Sequence, residues 1–541
     1  MSELRQLSVF LFLLSIPFLV GYLISWGMYH WINLRRKTGT SDKQVAPDLP
    51  LIFPIVGHTV QFLFNSAAFV KNETTYWGQL TCVRISLLGG GVYLVQDPEA
   101  VAAMWKTPDL CSPIYIYVVG LRYLFGMKER AIEIYAADDS GPFRKPHSKS
   151  QVMPHNRVDF LTHDSLLRGL LGPGLAPSFE RFQTILGRAV ERLPIQDEWA
   201  EMPDMLQFFR DHVGRAVLVC LFGPALLEIN PTFMENIWAF DAATPYLAKR
   251  VPRLFYPKGY RVRDTLLQQI QCWYQHARSH FDASQLDANG DGDPFWGSAM
   301  VRERQEFILK FPQQDDASLA SADLGLMWSS VTSVIPSVMM CLLHIFADAE
   351  LLSRSIYAET LRLYVQSYVT RCSAHAPADI GAWRLPQNKV AMVSSYVAHM
   401  DDNVWNTQDG AQPLTKFWAD RFLVDPHDTT GRSGPLRRER RAPRTAGVDA
   451  KCDLEERAEK PRFSLRGLEG FWIPYGGGFG ACPGRFFAKR VILFTCALFV
   501  TQFDVDIKTR DFSMDSSAFG LGTQKPKQKI VFAIKRREFR S

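Results

Sequence analysis

A single cysteine set among glycines constrains this chain more than any other feature. It lies in the run Tyr475-Gly-Gly-Gly478-Phe-Gly480-Ala-Cys482-Pro-Gly484-Arg-Phe-Phe487-Ala488. Glycines leave the backbone bare, so a large flat ligand can come close to the sulfur. Helical periodicity begins at once, with Phe487, Val491, Phe494 and Leu498 on one face. Free N–H groups and the dipole at a helix N-terminus favour a thiolate. One presented thiolate with a buried helix behind it suits a single strong bond to iron better than redox exchange. A lone cysteine is more often a buried hydrophobe, and the other eight are read that way. The run Gly476-x-Gly478-x-x-Ala481 also touches a dinucleotide fingerprint, but it lacks the preceding strand, and Asp504 is too far on to serve as its acid.

The spacing resembles the haem-binding loop of the cytochrome P450 family, with Tyr475, Gly478, Cys482, Gly484, Phe487 and Ala488 in the family's places. Two positions depart from that pattern. The aromatic is Tyr475 where Phe is usual, a mild change that keeps a ring to shield the thiolate. The usually basic position two before the cysteine is Gly480, so a haem propionate must find its counter-charge elsewhere.

With 541 residues, 47% of them hydrophobic, the chain can bury a sizeable core. A net charge of +6 is modest for this length and does not suggest nucleic acid as a partner. The nine cysteines show no paired spacing, which signals neither a disulfide framework nor a zinc site. From Gln6 to Leu34 no residue carries a fixed charge, and Arg35, Arg36 and Lys37 follow. About 20 apolar residues can span a bilayer. Residues 1–30 are therefore read as a single transmembrane anchor with the bulk of the protein on the cytosolic side. A cleaved signal peptide would have a shorter apolar run and a more basic start. Residues 31–54, with Pro47, Pro50 and Pro54, read as a basic, stiff linker, and 55–541 as the catalytic domain.

Within that domain, Leu80–Leu87 and Val92–Val95 flank three glycines and predict a β-hairpin. Most of the rest to about residue 400 has helical periodicity, so the expected fold is mainly α with a small β region. Asp287-Ala-Asn289-Gly-Asp291-Gly292 matches half a calcium loop, but Ser298 stands where the bidentate Glu belongs, so a solvated linker is expected. The stretch 424–470, with Arg437, Arg438, Arg440, Arg441 and Arg444, reads as a mobile surface insertion.

Glu359 and Arg362 sit at i, i+3 and can pair on a helix. They precede Phe417-Trp-Ala-Asp-Arg421-Phe422, which precedes the cysteine loop, the order in which the family keeps a Glu-x-x-Arg pair and a later arginine. The resemblance implies a buried triad of Glu359, Arg362 and Arg421. It also places Arg371 and His399 where the family neutralises haem propionates. No Trp-x-x-x-Arg contact is recognisable; His163 and Arg168 lie only in the right region.

Asp323–His344 holds no fixed charge between its ends and should run through the core. The text Trp328-Ser-Ser-Val-Thr332-Ser333-Val334-Ile-Pro336 resembles the branch containing sterol 7α-hydroxylases and prostacyclin synthase. There the family's acid-or-amide and Thr positions, which relay protons, fall on Ser333 and Val334. The usual hydroxyl is absent. Pro336 has no N–H, so the helix should kink and leave the Thr332 carbonyl open beside the hydroxyls of Thr332 and Ser333. Those hydroxyls either carry protons or bond back to the preceding turn.

The resemblance implies a haem b cofactor with Cys482 as the axial metal ligand, and a monooxygenase that hydroxylates an apolar terpenoid, sterol, alkaloid or polyketide. It implies electrons from NADPH through a separate NADPH–cytochrome P450 reductase, docked near Arg485 and Lys489. It also implies an endoplasmic reticulum membrane location. A haem-thiolate isomerase or dehydratase acting on a peroxide is the alternative that Val334 keeps open, and a non-enzymatic haem-binding membrane protein is a second. The loop most resembles filamentous-fungal members.

Overall fold

The computed structural model describes residues 15–31, 45–50, 56–76, 82–88, 90–347, 354–428, 430, 432–437 and 460–537. The chain divides into two compact units: Met1–Pro113 with Tyr368–Ala398 and Gly477–Gly480, and Ile114–Ser367 with His399–Gly476 and Ala481–Ser541.

In the first unit the expected hairpin forms. Strands Cys82–Leu87 and Gly90–Val95 pair antiparallel, Cys82 opposite Val95 and Leu87 opposite Gly90. The second strand runs parallel to Val390–Ser394, which pairs antiparallel with Tyr368–Cys372. All five residues of Val390–Ser394 are buried, which suits an unbroken apolar run at the centre of a sheet. The helix Pro98–Lys106 starts where Asp97 accepts from the Glu99 N–H and Pro98 fills the first turn. It buries Ala100, Val101 and Met104.

Part of the expected linker belongs to this sheet. Arg84 N–H donates to the Pro47 carbonyl, Leu49 N–H donates back to Arg84, and Asp48 pairs with the Arg84 guanidinium at 2.7 Å. Backbone donors on the hairpin's edge take up the chain instead of leaving it as a spacer. Residues 32–44 and 51–55 lie outside the described residues. A helix covers 15–31 with mostly exposed apolar side chains, while 1–14 lie outside the described residues. Among the described residues, the one helix long and apolar enough to cross a membrane is Asp316–Ala347, and it is mostly buried in the protein. A spanning N-terminal helix is thus not shown.

The second unit is helical around that core helix. Asp315 and Ser318 close a capping box at its start. It breaks at Ser333, giving Asp316–Thr332 and Val334–Ala347, as a proline without an N–H three residues on requires. The cysteine helix, Arg485–Gln502, packs against Val334–Ala347 and against Leu175–Glu191. There Phe182 meets Phe487 and Phe494 edge-on.

The half calcium loop is not a solvated linker. Asp287 accepts from the N–H groups of Asn289, Asp291 and Gly292. Arg181 pairs with Asp287 and Asp291, and Arg302 with Asp293, so guanidiniums answer these carboxylates. The ends of 424–470 are likewise folded in: Leu423 and Val424 pair with Phe463 and Arg462, and Leu468 and Phe471 are buried. Residues 438–459 lie outside the described residues.

Glu359, Arg362 and Arg421 are all fully buried. Arg362 grips the carboxylate with two bonds, 2.7 and 2.8 Å, and Arg421 adds a third at 3.0 Å. The second positive charge is spread over carbonyls: Arg362 donates to His399 and Leu414, Arg421 to Asn406. Removing the carboxylate as Glu359→Gln leaves two buried guanidiniums unanswered. We expect a loss of about 3–5 kcal/mol in chemical denaturation, against under about 1 kcal/mol for Arg84→Met at the exposed pair with Asp48.

Candidate active site

Between Phe471 and the cysteine helix the chain closes on itself. Gly476 N–H donates to Ile473, Cys482 N–H to Tyr475 and Arg485 N–H to Cys482. Gly476 takes φ +70° and Gly478 φ +64°, a region in which side chains strain the backbone. Cys482 remains exposed at the mouth of the helix.

Burial pushes the Cys482 thiol up, while the N–H groups of Gly484 and Arg485 and the Arg485 charge pull it down. The amides do favour the thiolate as expected of a helix terminus, but burial is the larger effect. A bound cation reverses that balance, because a coordinating thiol is deprotonated outright. Tyr475 bonds through its hydroxyl to Tyr357 at 2.8 Å. Gly484 is the last residue before the helix, and a Cβ there would meet Cys482 Sγ at 3.9 Å.

Residues 477–480 are gripped within the first unit. The Trp105 indole lies against Gly477, where a Cβ would come within 2.4 Å of Nε1, and a Cβ on Gly478 would reach the Trp105 carbonyl at 2.5 Å. Arg371 donates to the Gly480 carbonyl at 2.8 Å and sits over the Trp105 ring at 5.4 Å. A Cβ on Gly480 would meet Arg371 Nη2 at 2.5 Å and the Cys111 carbonyl at 2.8 Å. The missing basic residue is therefore a steric necessity: a guanidinium from the neighbouring strand already fills that volume.

His399 is fully buried, and its Nε2 accepts from the Ile473 N–H at 3.1 Å. Burial, reinforced by Arg362, lowers it to about 3. Burial favours the neutral imidazole, and its bond to Ile473 ties it to the start of the cysteine loop. Arg168 is engaged with Asp164 and Glu303.

These residues fit a haem. An accessible thiol stands at a helix mouth behind bare glycines. In the first unit, the buried Trp105 Nε1 has no acceptor among the described residues and lies beside Arg371, and an indole N–H with a guanidinium is a donor set for a carboxylate. No motif marks Trp105, so sequence reasoning missed it.

At the break in the core helix, Ser329 and Ser330 bond back to Leu326 and Met327. Thr332 and Ser333 do not. Their hydroxyls have no partner among the described residues, while the Ser333 carbonyl accepts from Ser337 Oγ at 2.7 Å and Thr523 Oγ1 at 3.0 Å. Ser333 Oγ faces Gly522, where a Cβ would come within 2.8 Å. Val334 is buried in the core.

No protein-family model matches the chain. It is 30% identical to the cytochrome P450 monooxygenase efuG of Hormonema carpetanum, over 98% of this chain and 97% of the relative. It is also 30% identical to the cytochrome P450 monooxygenase fsoE of Humicola fuscoatra, over 97% and 93%. Cytochrome P450 7A1 of Sus scrofa is 21% identical over 97% and 99%. Among solved structures, the retinoic-acid-bound cyanobacterial CYP120A1 shares the fold at a TM-score of 0.58 and 14% identity, covering 92% of this chain and all of that one. The chain belongs to the cytochrome P450 family and is an oxidoreductase of its monooxygenase class.

Two outcomes follow from this geometry. Gly480→Ala should cost roughly 1–3 kcal/mol and lower haem incorporation, since the Cys111 carbonyl cannot yield. Gly187→Ala, with open space around it in a helix, should gain up to about 1 kcal/mol. Denaturation and absorbance of the purified proteins measure both. Stability should also fall in acid. His344, stacked on Phe417 and bonded to Tyr364, is lowered by burial to about 4, and His399 to about 3. Both start from 6.5 in the unfolded chain, which binds their protons first. Their contribution is complete above that pH and declines as pH falls below it, by about 1.4 kcal/mol per pH unit for each histidine.

Proposed function

We propose that this enzyme hydroxylates an apolar, membrane-borne small molecule of secondary metabolism, a terpenoid, sterol, alkaloid or polyketide, with dioxygen and reductase-supplied electrons. Cys482 would hold the iron of a haem b, with Tyr475, Gly478 and Gly484 shaping its loop and Arg371 and Trp105 meeting a propionate. When bound, that group supplies dioxygen activation, which a thiolate ligand favours. The chain's own residues do the rest. Glu359, Arg362 and Arg421 fix the loop's support. Thr332 Oγ1 and Ser333 Oγ hold and pass protons at the helix break. Arg485, Lys489 and Arg490 on the cysteine helix offer positive charge to an NADPH–cytochrome P450 reductase. The apolar helix at 15–31 supports attachment to the endoplasmic reticulum membrane through a single N-terminal span, the catalytic part facing the cytosol. A relative named 25-hydroxycholesterol 7-alpha-hydroxylase, from Rattus norvegicus and 23% identical over 45% of the chain, supports a polycyclic substrate.

The observation that carries monooxygenation over peroxide rearrangement is the pair of unspent hydroxyls at Thr332 and Ser333. In microsomes with isotopically labelled dioxygen, label should enter product only when NADPH and reductase are present. Unlabelled product from a hydroperoxide without NADPH would identify the isomerase or dehydratase instead. The double variant Thr332→Val/Ser333→Ala should keep consuming NADPH while product formation drops by about 10²-fold, the scale of a lost proton-transfer group.

A further inference from the structure

An ion pair with a buried carboxylate and a half-buried ammonium shares a cavity wall with Thr332. The cavity is lined by Asp241, Thr244, Trp328, Thr332, Thr523 and Lys525, among others. Asp241, on the helix Phe233–Ala248, is 7% exposed. One of its oxygens accepts from Trp328 Nε1 at 3.0 Å and the other from Lys525 Nζ. Both carboxylate oxygens are thereby engaged. The ammonium has three N–H donors, and Asp241 is its only partner among the described residues.

A buried ion pair is poor value for stability, since well-packed apolar residues of similar volume do as well or better. Its presence in the wall of a cavity, with the unspent capacity all on the donor side, calls for a ligand that brings an acceptor. Nearby, Arg210 is stacked on Trp238 at 4.6 Å; burial pulls it below its usual value, opposed by the charge of Asp241 ahead of Asp204 and Asp211. Of those two acids, Asp204 caps the Leu206 N–H and Asp211 is exposed and bonded to Gln207. Lys525 is thus the one cation bonded to Asp241 among the described residues.

We propose that Lys525, held by Asp241 and Trp328, is a specificity-determining anchor for a carboxylate on an otherwise apolar substrate. The anchor meets the acid group at the cavity wall to which Thr332 contributes; at about 20 Å³ that cavity has room for the acid group and not for the apolar skeleton. This rests on the monooxygenase reading of the site, and it narrows the substrate class to apolar acids.

The test uses azole probes that bind haem iron directly and need no knowledge of the substrate. The purified holoenzyme is titrated, by its Soret shift, with ω-(imidazol-1-yl)decanoic and dodecanoic acids, their methyl esters and the corresponding alkylimidazoles. At least one acid should bind roughly tenfold more tightly than its ester and alkyl partner, the scale of a charge-assisted bond. In Lys525→Met that ratio should fall toward unity, and in Lys525→Arg it should persist. Because Lys525→Met leaves Asp241 buried and unanswered, the double variant Asp241→Asn/Lys525→Met is titrated as well and should show the same loss. Acids that bind no better than alkylimidazoles, or a preference that survives Lys525→Met, overturn the anchor while the azole shift itself keeps the haem reading standing. No shift with any probe overturns both.

Discussion

The Glu359 carboxylate is the point on which the second unit's active-site architecture hangs. It accepts four bonds, two from Arg362, one from Arg421 and one from the Trp418 N–H. The arginines then reach outward to the carbonyls of His399, Leu414 and Asn406. His399 passes the connection on by accepting from Ile473, and Trp472 adds a bond to the Ala358 carbonyl. Ile473 in turn accepts from Gly476, three residues after it and six before the thiol. A buried charge cluster of this kind is a weak source of stability and a strong source of geometry. Its members have few alternative partners at zero exposure, so the loop it reaches has one position.

Cys482 shows the opposite economy. Burial pushes the Cys482 thiol up against the pull of the Gly484 and Arg485 amides and the Arg485 charge. A bound cation would offset that cost, since a coordinating thiol is deprotonated outright. The same logic explains Gly480. A basic side chain there would compete for space with Arg371 and strike the Cys111 carbonyl, so the guanidinium beside this loop comes from the neighbouring strand.

Much of this was legible in the sequence because it depends on spacing. The cysteine loop, the hairpin around Gly89–Gly91, the Glu359–Arg362 pair and the break before Pro336 follow from turn chemistry, periodicity and a missing N–H. What was not legible depends on long-range pairing. Nothing local says that Pro47 to Leu49 will complete the edge of a hairpin, that Arg181 will close on Asp287, or that Trp105 will lie against Gly477. The environment of His399 is illegible for the same reason: its complete burial beside Arg362 is announced by no neighbour in sequence.

The core-helix break gathers the chemistry of the second unit into one seam. Proline removes a backbone donor, so the helix offers open acceptors around Thr332 and Ser333. The strand Leu521–Thr523 meets that opening: Thr523 donates to the Ser333 carbonyl, and Gly522 gives Ser333 Oγ its space. Two residues further on, Lys525 reaches Asp241, which also holds Trp328 one helical turn before Thr332. The segment Leu521–Lys525 is thus tied down by polar contacts at both ends, with the cavity in between. An apolar segment could slide along such a helix, whereas these directed bonds set its register. The Thr332 and Ser333 hydroxyls and the Lys525 ammonium are consequently fixed relative to each other, the condition under which a substrate held at one end as proposed would present a defined stretch of its skeleton to the other.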